Sequence, residues 1–208
     1  MLKSMQKNGL RLSLFALVCT GAIVFTDYAT HDVIAVQQQE KQLEMLRSML
    51  PAKSYDHDLT KECHSVTSDY LGNKKPHPVF VARKNGSITG YILESVAPDG
   101  YSGSIRLLTG VNTVGEIQRT EVLEHHETPG LGDKIERSKS SWIDSFNHQK
   151  LTAENERSWA VKKDGGQFDS FTGATITPRA VVKQLKNVLY FVQSNPELIE
   201  PAPSCESK

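Results

Sequence analysis

The sequence predicts an α+β domain, built on an antiparallel sheet with packed helices and preceded by a single N-terminal transmembrane helix. Three observations lead to this fold class: an uncharged N-terminal stretch, β-prone runs in the middle of the chain, and an amphipathic helix near its end. Strands and helices are grouped instead of alternating in βαβ order, which is typical of α+β domains. With 208 residues, the chain is long enough for one globular domain beyond the N-terminal stretch.

The N-terminal stretch is predicted to be an uncleaved membrane anchor. No charge occurs from Leu12 to Thr26, and Lys3, Lys7 and Arg11 all precede that run. Positive charge is enriched on the cytoplasmic side of membrane helices, so we expect a cytoplasmic N-terminus and a periplasmic domain at the inner membrane. A cleaved signal peptide and a buried core helix are the competing interpretations. No A-x-A cleavage site follows closely, which favours the anchor.

The chain is predicted to have four regions. They are the cytoplasmic N-terminus and anchor at 1–29, a juxtamembrane helix at 30–51, a periplasmic domain at 52–195 and a C-terminal tail at 196–208. The juxtamembrane helix is predicted from apolar residues at helical spacing, and Pro51 is expected to end it. Those apolar residues are Val33, Val36, Leu43, Leu46 and Leu50. Residues 52–78 show no clear period and are interpreted as a loop with at most short elements.

The middle of the chain is predicted to be an antiparallel sheet. Residues 79–82 and 88–96 are β-prone, and the Asn85-Gly86 pair between them suits a tight hairpin turn. Further strands are expected at 105–111 and 115–124. Residues 134–148 are expected to be helical in their second half.

The last predicted helix follows a short run of small and hydroxyl residues. Thr177 suits the N-cap position and Pro178 the first helical position, and the helix should end near Asn195-Pro196. It should bury an apolar face. That face comprises Val181, Val182, Leu185, Val188, Leu189 and Val192.

Charge and cysteine content exclude several classes of function. Lysine plus arginine equals aspartate plus glutamate at 24 each, so no basic field attracts nucleic acid. Cys19, Cys63 and Cys205 form no CxxC pair, which argues against zinc ribbons, iron–sulfur clusters and thioredoxin-like chemistry. Whether Cys63 and Cys205 form a disulfide is left open by their spacing.

The most informative segment runs from Asp169 to Pro178. It contains the small residues Gly173 and Ala174 and leads directly into the N-terminus of the last helix, where backbone N–H groups and the helix dipole suit a phosphate. Local physics alone predicts no more than an anion site. The competing interpretation is that the threonines of this segment serve only as turn and cap residues.

The pattern Asp169-x-x-Thr172-Gly173-Ala174-Thr175 resembles the D-x-x-[ST]-G-A-T motif at which flavin transferases esterify FMN onto the last threonine. It is similar to the site in the G subunit of Rnf-type (Rsx-type) electron transport complexes and in the C subunit of sodium-translocating NADH:quinone reductases. Segments 100–103 and 126–132, together with Gly110, resemble other parts of that FMN-binding domain in the same order. The resemblance spans roughly residues 79–192.

The resemblance implies a covalent flavoprotein that carries electrons within a membrane-bound, ion-translocating oxidoreductase linked to ferredoxin and NAD. Thr175 would carry FMN as a phosphoester, and the other motif residues, Asp169, Thr172, Gly173 and Ala174, would serve recognition and shape the turn. Glu127, Thr128, Gly130 and Leu131 would lie along the isoalloxazine, where they tune its redox potential. The implied partners are the other membrane subunits of the complex and a flavin transferase. No acid–base residue is needed, and the isolated chain is not expected to have a complete catalytic activity.

Alternatives remain within and outside this family. The C subunit of the quinone reductase is the nearest one, and a cofactor-free anchored interaction domain is the other. A metal site at His125-His126-Glu127 is disfavoured because neighbouring strand residues point to opposite faces. Trp142, Phe146 and Trp159 are expected to anchor the core rather than stack on a flavin.

Overall fold

The computed structural model describes residues 2–199 and 201–205. Packing divides the chain into Met1–Glu44 and Met45–Lys208. Helix α1, Leu2–Ser48, has no break between the predicted anchor and the predicted juxtamembrane helix. In the described part of the chain, its segment Met5–His31 is the one helical stretch long and apolar enough to cross a membrane, with a mean hydropathy of 1.8.

Some expectations fall on residues that the structure does not describe. The side chains of Lys3, Val33 and Val36 lie outside the described residues. Within the predicted tail, so do residue 200 and residues 206–208. The region boundaries at 29, 51 and 195 stay predictions.

The described residues of the second unit form a five-stranded antiparallel sheet with the strand order β1-β2-β3-β4-β5. Its strands are β1 Cys63–Ser68, β2 Asn73–Lys84, β3 Ser87–Ala97, β4 Ile105–Asn112 and β5 Ile117–Glu124. The predicted hairpin is confirmed. Asn85 and Gly86 join β2 to β3 with φ values of 52° and 80°, the left-handed region that the Asn-Gly pair tolerates. The strands expected at 105–111 and 115–124 are confirmed as β4 and β5.

The interpretation of residues 52–78 as a loop is wrong for its second half. Strand β1 lies there, and β2 begins at Asn73, before Pro76 and Pro78. Its ladder with β3 begins only at Val79, and residues 77 and 78 pair with β1 alone. The prolines therefore interrupt no ladder with β3. Strand β1 is polar and lies at the edge of the sheet, so it shows no hydrophobic alternation.

Helix α2, Ile176–Ser194, covers one face of the sheet. All six residues predicted for its apolar face are buried, and the helix ends at Ser194 as expected. The opposite face of the sheet carries a smaller cluster built around Met49, Leu50, Ile92 and Leu108.

Residues 134–148 form 3-10 turns instead of an α-helix. These turns are Gly132–Ile135 and Ser141–Phe146, so the second half is helical as predicted but too tightly wound for an α-helix. Trp142, Phe146 and Trp159 are buried in the main core, which confirms their assignment as core anchors.

The C-terminal tail packs along the β1 edge. Pro203 O accepts a 2.7 Å hydrogen bond from Ser65 N, and Cys63 O accepts one of 2.9 Å from Cys205 N. Cys63 and Cys205 form a disulfide with a Cα–Cα distance of 5.3 Å. The pairing that the sequence left open is therefore formed, and it fastens the tail to the edge strand.

Candidate functional site

A cavity of about 330 Å³ opens where the N-terminus of α2 meets two loops. One loop connects β3 to β4 and contributes Tyr101; the other follows β5. The cavity is lined by Tyr101, Glu127, Thr128, Leu131, Gly132, Gly173, Ala174, Thr175, Ile176 and Thr177. Residues that are far apart in the sequence thus form one pocket at the beginning of the helix.

The segment that begins at Asp169 is fixed to the core by two aromatic residues. The Asp169 carbonyl accepts a 2.8 Å hydrogen bond from Trp142 Nε1, and the buried ring of Phe171 packs edge-on against Trp142. Ala174 N donates to Phe171 O at 3.1 Å, which closes a turn around Gly173. Gly173 has a φ of 79°, a conformation that favours glycine.

Asp169 and Thr172 have exposed side chains. The Asp169 carboxylate forms a 2.7 Å ion pair with Lys162 Nζ at the surface. Neither Asp169 nor Thr172 lines the pocket. Both are therefore presented to solvent, beside a turn whose backbone is held by the core.

Thr175 is half-buried and immediately precedes α2. Its side chain makes no capping hydrogen bond, so its hydroxyl is not used by the first turn of the helix. Thr175 thus lines the pocket next to the backbone N–H groups that begin the helix.

The prediction that Thr177 caps this helix is wrong. The helix begins at Ile176, so Thr177 and Pro178 lie within its first turn, where a missing N–H costs no helical bond. The Thr177 hydroxyl is fully buried and donates a 2.6 Å hydrogen bond to Glu127 Oε2. The Thr177 hydroxyl therefore bonds a carboxyl group of another loop instead of capping its own helix.

The loop after β5 forms the opposite wall of the pocket. Thr128 O accepts hydrogen bonds from the backbone N–H groups of Leu131 and Gly132, both at 3.1 Å. This turn leaves Leu131 42% exposed beside the pocket, whereas Glu127 is only 5% exposed. Gly130 has a φ of 78° at the turn.

Six of the nine predicted site residues line the pocket together. They are Glu127, Thr128, Leu131, Gly173, Ala174 and Thr175. Asp169, Thr172 and Gly130 do not line it. Gly132 belongs to the loop that the sequence predicted to lie along the isoalloxazine, and Tyr101 belongs to a segment that resembles the FMN-binding domain. Ile176 and Thr177 were not predicted as site residues. Tyr101 and Ile176 are 68% and 44% exposed. For Tyr101, the local signal of a site residue was an aromatic side chain within a glycine-rich loop.

Two ion pairs lie on the segments that carry the pocket residues, Arg179–Asp164 and His125–Glu136. Arg179 in α2 donates to Asp164 and lowers the pKa of that carboxyl, while the same contact raises the pKa of Arg179. His125 lies 2.8 Å from Glu136, and its hydrogen bond, with that of Ser138, lowers the pKa of Glu136. His126 is exposed.

Comparison with known proteins identifies the family. Residues 100–190 match the family described as FMN-binding domain, and residues 1–49 match the RnfG N-terminal region. A relative from Yersinia pestis, named as the G subunit of an ion-translocating oxidoreductase complex, is 46% identical over 99% of this chain and 98% of its own length. Relatives of the same name from Vibrio parahaemolyticus and Photorhabdus laumondii are 46% and 45% identical, over 98% and 100% of their own lengths.

The chain belongs to the family of G subunits of ion-translocating oxidoreductase complexes. The FMN-binding match begins at Gly100 and ends at Tyr190, so it contains every residue that lines the pocket. The RnfG match covers the whole of α1. The match of both parts agrees with a membrane-anchored flavoprotein subunit.

The pocket residues fit a flavin mononucleotide. Gly173 and Ala174 add little bulk next to the Thr175 hydroxyl, and a Cβ placed on Gly173 would approach only Leu131, at 3.7 Å. Exposed apolar surface of Tyr101, Leu131 and Ile176 lies around the opening, where a flat aromatic ring would cover it. The start of α2 offers backbone donors to a phosphate.

Proposed function

We propose that this subunit carries electrons on an FMN attached to Thr175 by a phosphoester. One observation carries the proposal: Thr175, the last residue of the Asp169-x-x-Thr172-Gly-Ala-Thr motif, lines the pocket, and its side chain makes no capping hydrogen bond. In the attachment, the Thr175 oxygen forms an O–P bond to the FMN phosphorus of a flavin adenine dinucleotide donor. The phosphoanhydride bond of the donor breaks, AMP leaves, and the hydroxyl proton is released; a flavin transferase catalyses the step.

The residues around Thr175 have distinct roles in this proposal. Gly173 and Ala174 let the phosphate approach the backbone, and the first N–H groups of α2 donate to its oxygens. Leu131 and Tyr101 provide apolar contact to the ring system, and Thr128 is close enough to the pocket to donate to a polar edge. Gly130 keeps the turn open beside the ring. The bound flavin supplies the redox chemistry, and these residues orient it and tune its potential.

Asp169 and Thr172 serve recognition by the flavin transferase in this proposal. Both side chains are exposed and neither lines the pocket, so an enzyme that approaches from solvent can contact them while Thr175 reacts. Trp142 and Phe171 hold the backbone of the motif in place during that contact. Recognition and attachment would thus use different residues of one rigid turn.

The electron-carrying subunit is proposed to lie at the inner membrane with its flavin domain in the periplasm. Lys7 and Arg11 precede the apolar part of α1, which favours a cytoplasmic N-terminus. The Cys63–Cys205 disulfide supports an oxidising compartment for the domain. The complex is proposed to couple electron flow between ferredoxin and NAD to ion movement. The name and matching length of the relatives favour this over the C subunit of a quinone reductase.

The attachment is tested by intact-mass spectrometry of the full chain co-expressed with a flavin transferase. We expect the wild-type mass to include one FMN and Thr175→Ala to be folded, membrane-inserted and colourless. Thr175→Ser keeps the hydroxyl and tests whether the transferase needs the methyl group. Thr113→Ala is the matched control, since Thr113 is an exposed threonine in the β4–β5 turn. Covalent FMN on Thr175→Ala, or a flavin peptide outside residues 170–177, would refute the assignment.

A further inference from the structure

Glu127 joins three segments of the chain beneath the pocket. Its Oε2 accepts the 2.6 Å hydrogen bond from Thr177, and its Oε1 accepts one of 3.2 Å from Ser102 N. These donors lie 50 residues after Glu127 and 25 residues before it. One carboxylate that is 5% exposed therefore connects α2, the β3–β4 loop and the β5 loop.

Two glycines make room for this carboxylate. A Cβ on Gly100 would lie 2.8 Å from Glu127 Oε1, and a Cβ on Gly132 would lie 2.8 Å from Oε2 and 2.9 Å from Thr177 Oγ1. Real Cβ atoms essentially never come that close to another atom, so a larger residue at Gly132 would displace the carboxylate. A larger residue at Gly100 would clash first with the backbone oxygen of Gly103 and then with the carboxylate. The glycines and the carboxylate form one packed unit, which we call the Glu127 clamp: Gly100, Ser102, Glu127, Gly132 and Thr177.

We propose that Glu127 is a positioning residue, whose clamp holds the ring-facing loops at a fixed distance from Thr175. The inference rests on the proposed attachment at Thr175. Thr177 lies two residues after Thr175, and Glu127 lies four residues before Leu131, so the clamp restrains both walls of the pocket at once. Glu127 accepts hydrogen bonds from protein donors at both oxygens, so its positioning role does not require direct contact with the flavin.

The clamp should be strong because its acceptor is a buried charge. Hydrogen bonds to a carboxylate are about twice as strong as neutral ones, and a buried carboxylate that loses a donor keeps its full desolvation penalty. Removal of the Thr177 hydroxyl should therefore loosen both loops. Glutamine at position 127 should preserve the geometry of the clamp but weaken it, because its amide oxygen accepts from Ser102 N and its amide nitrogen donates to the Thr177 oxygen without a charge.

The first experiment measures amide hydrogen exchange of the full chain in detergent, produced without a flavin transferase. Glu127→Ala and Thr177→Val should speed exchange at residues 100–103 and 128–132 by about tenfold or more, the factor for one lost charge-assisted hydrogen bond. Glu127→Gln should lie between the wild type and Glu127→Ala, because it keeps both contacts but loses the charge, and Thr177→Ser should stay near the wild type. The matched control is Gln184→Leu, because Gln184 is also buried in α2 and bonds Tyr70 O away from the pocket.

The second experiment measures covalent FMN incorporation and the midpoint potential of the bound flavin. Thr177→Val should slow incorporation by about tenfold and shift the potential, whereas Gln184→Leu should lower stability without either change. Unchanged exchange and incorporation in Thr177→Val, or equal losses in Glu127→Gln and Glu127→Ala, would overturn the clamp. A wild-type chain without covalent FMN would overturn the proposed attachment at Thr175 instead. The exchange data, which are measured without FMN, would still test whether the clamp restrains the two loops.

Discussion

Trp142 Nε1 donates a 2.8 Å hydrogen bond to the backbone carbonyl of Asp169, the first residue of the flavin-attachment motif. The same indole packs at 5.0 Å from the ring of Phe171 and at 5.1 Å from that of Phe146. The motif is thus anchored to the core at two points: the backbone carbonyl of Asp169 and the buried ring of Phe171. This arrangement explains how Asp169 and Thr172 can be exposed and still be held in fixed positions.

The Trp142→Phe variant should lose this anchor while keeping most of the aromatic packing. We expect the free energy of unfolding to fall by about 1 kcal/mol for the lost hydrogen bond, plus a packing loss from the smaller ring, and FMN incorporation to slow. Urea unfolding and intact mass measure the two effects. Trp159→Phe is the matched control, since the buried Nε1 of Trp159 has no hydrogen-bond partner in the described structure. Equal rates of FMN incorporation in the two variants would show that Trp142 is not needed to position the motif for attachment.

Leu131→Glu should lower the midpoint potential of the bound flavin. Leu131 is 42% exposed and lines the pocket, so a carboxylate there places negative charge beside a ring that gains electrons. Each 1.4 kcal/mol of added repulsion corresponds to roughly 60 mV for one electron, and a partly exposed charge should give a shift of that order. Redox titration of the flavin-loaded chain measures it.

Val114→Glu is the control for this charge. Val114 is 58% exposed in the β4–β5 turn and does not line the pocket, so its variant should keep the wild-type potential. If both variants have the same potential as the wild type, the loop after β5 does not contact the flavin.

The sequence predicted those elements whose signals are local. The Asn85-Gly86 turn and the apolar face of α2 each depend on residues within one element, and both were correct. Strand β1 was missed because it is a polar edge strand whose partner, β2, contains Pro78 within the ladder between them. Nothing in the local pattern of residues 63–68 distinguishes it from a loop.

The contents of the pocket were predictable only in part. The motif and the loop after β5 could be identified because their order resembles that of a known domain. The misassigned role of Thr177 shows the limit: threonine before proline suits a cap, and only the fold brings Glu127 within 2.6 Å of its hydroxyl. Tyr101 was likewise placed beside Thr175 by the packing of loops.

Loss of the disulfide should destabilise the domain. Cys63 and Cys205 are separated by 142 residues, so the bridge closes a long loop and restricts the unfolded chain. Cys205→Ser should lower the free energy of unfolding by about 2–5 kcal/mol, measured by urea titration under oxidising conditions. Cys19→Ser should have no effect, because Cys19 is exposed and free. Two reactive thiols in addition to Cys19 in the oxidised native protein would contradict the bridge.

The orientation in the membrane can be tested with reporter fusions. Lys7 and Arg11 should hold the N-terminus in the cytoplasm, so alkaline phosphatase fused after the last residue should be active in the periplasm. Adding four lysines immediately after His31 should reduce that activity, because it removes the charge asymmetry across the apolar helix. Activity of a cytoplasm-only reporter at the C-terminus of the wild-type chain would reverse the proposed orientation.

Stability should fall below neutral pH because of His77. This residue is 3% exposed in β2, and its Nε2 donates a 3.0 Å hydrogen bond to Asn73 Oδ1. Burial lowers the pKa of His77 below its ordinary value of 6.5, despite the opposing effect of the Glu94 carboxylate, and Arg106 lowers it further.

The unfolded chain therefore binds a proton at His77 at a higher pH than the native chain does. The contribution of His77 is complete above pH 6.5 and is lost as the pH falls from there toward the lower pKa of the folded state. We expect the free energy of unfolding of the wild type, measured from about pH 7.5 to pH 5, to decrease more steeply than that of His77→Gln, by about 1.4 kcal/mol for each unit of pKa shift. His126→Gln is the control, since His126 is exposed. Parallel curves for the wild type and His77→Gln would mean that His77 is protonated as readily in the native chain as in the unfolded one.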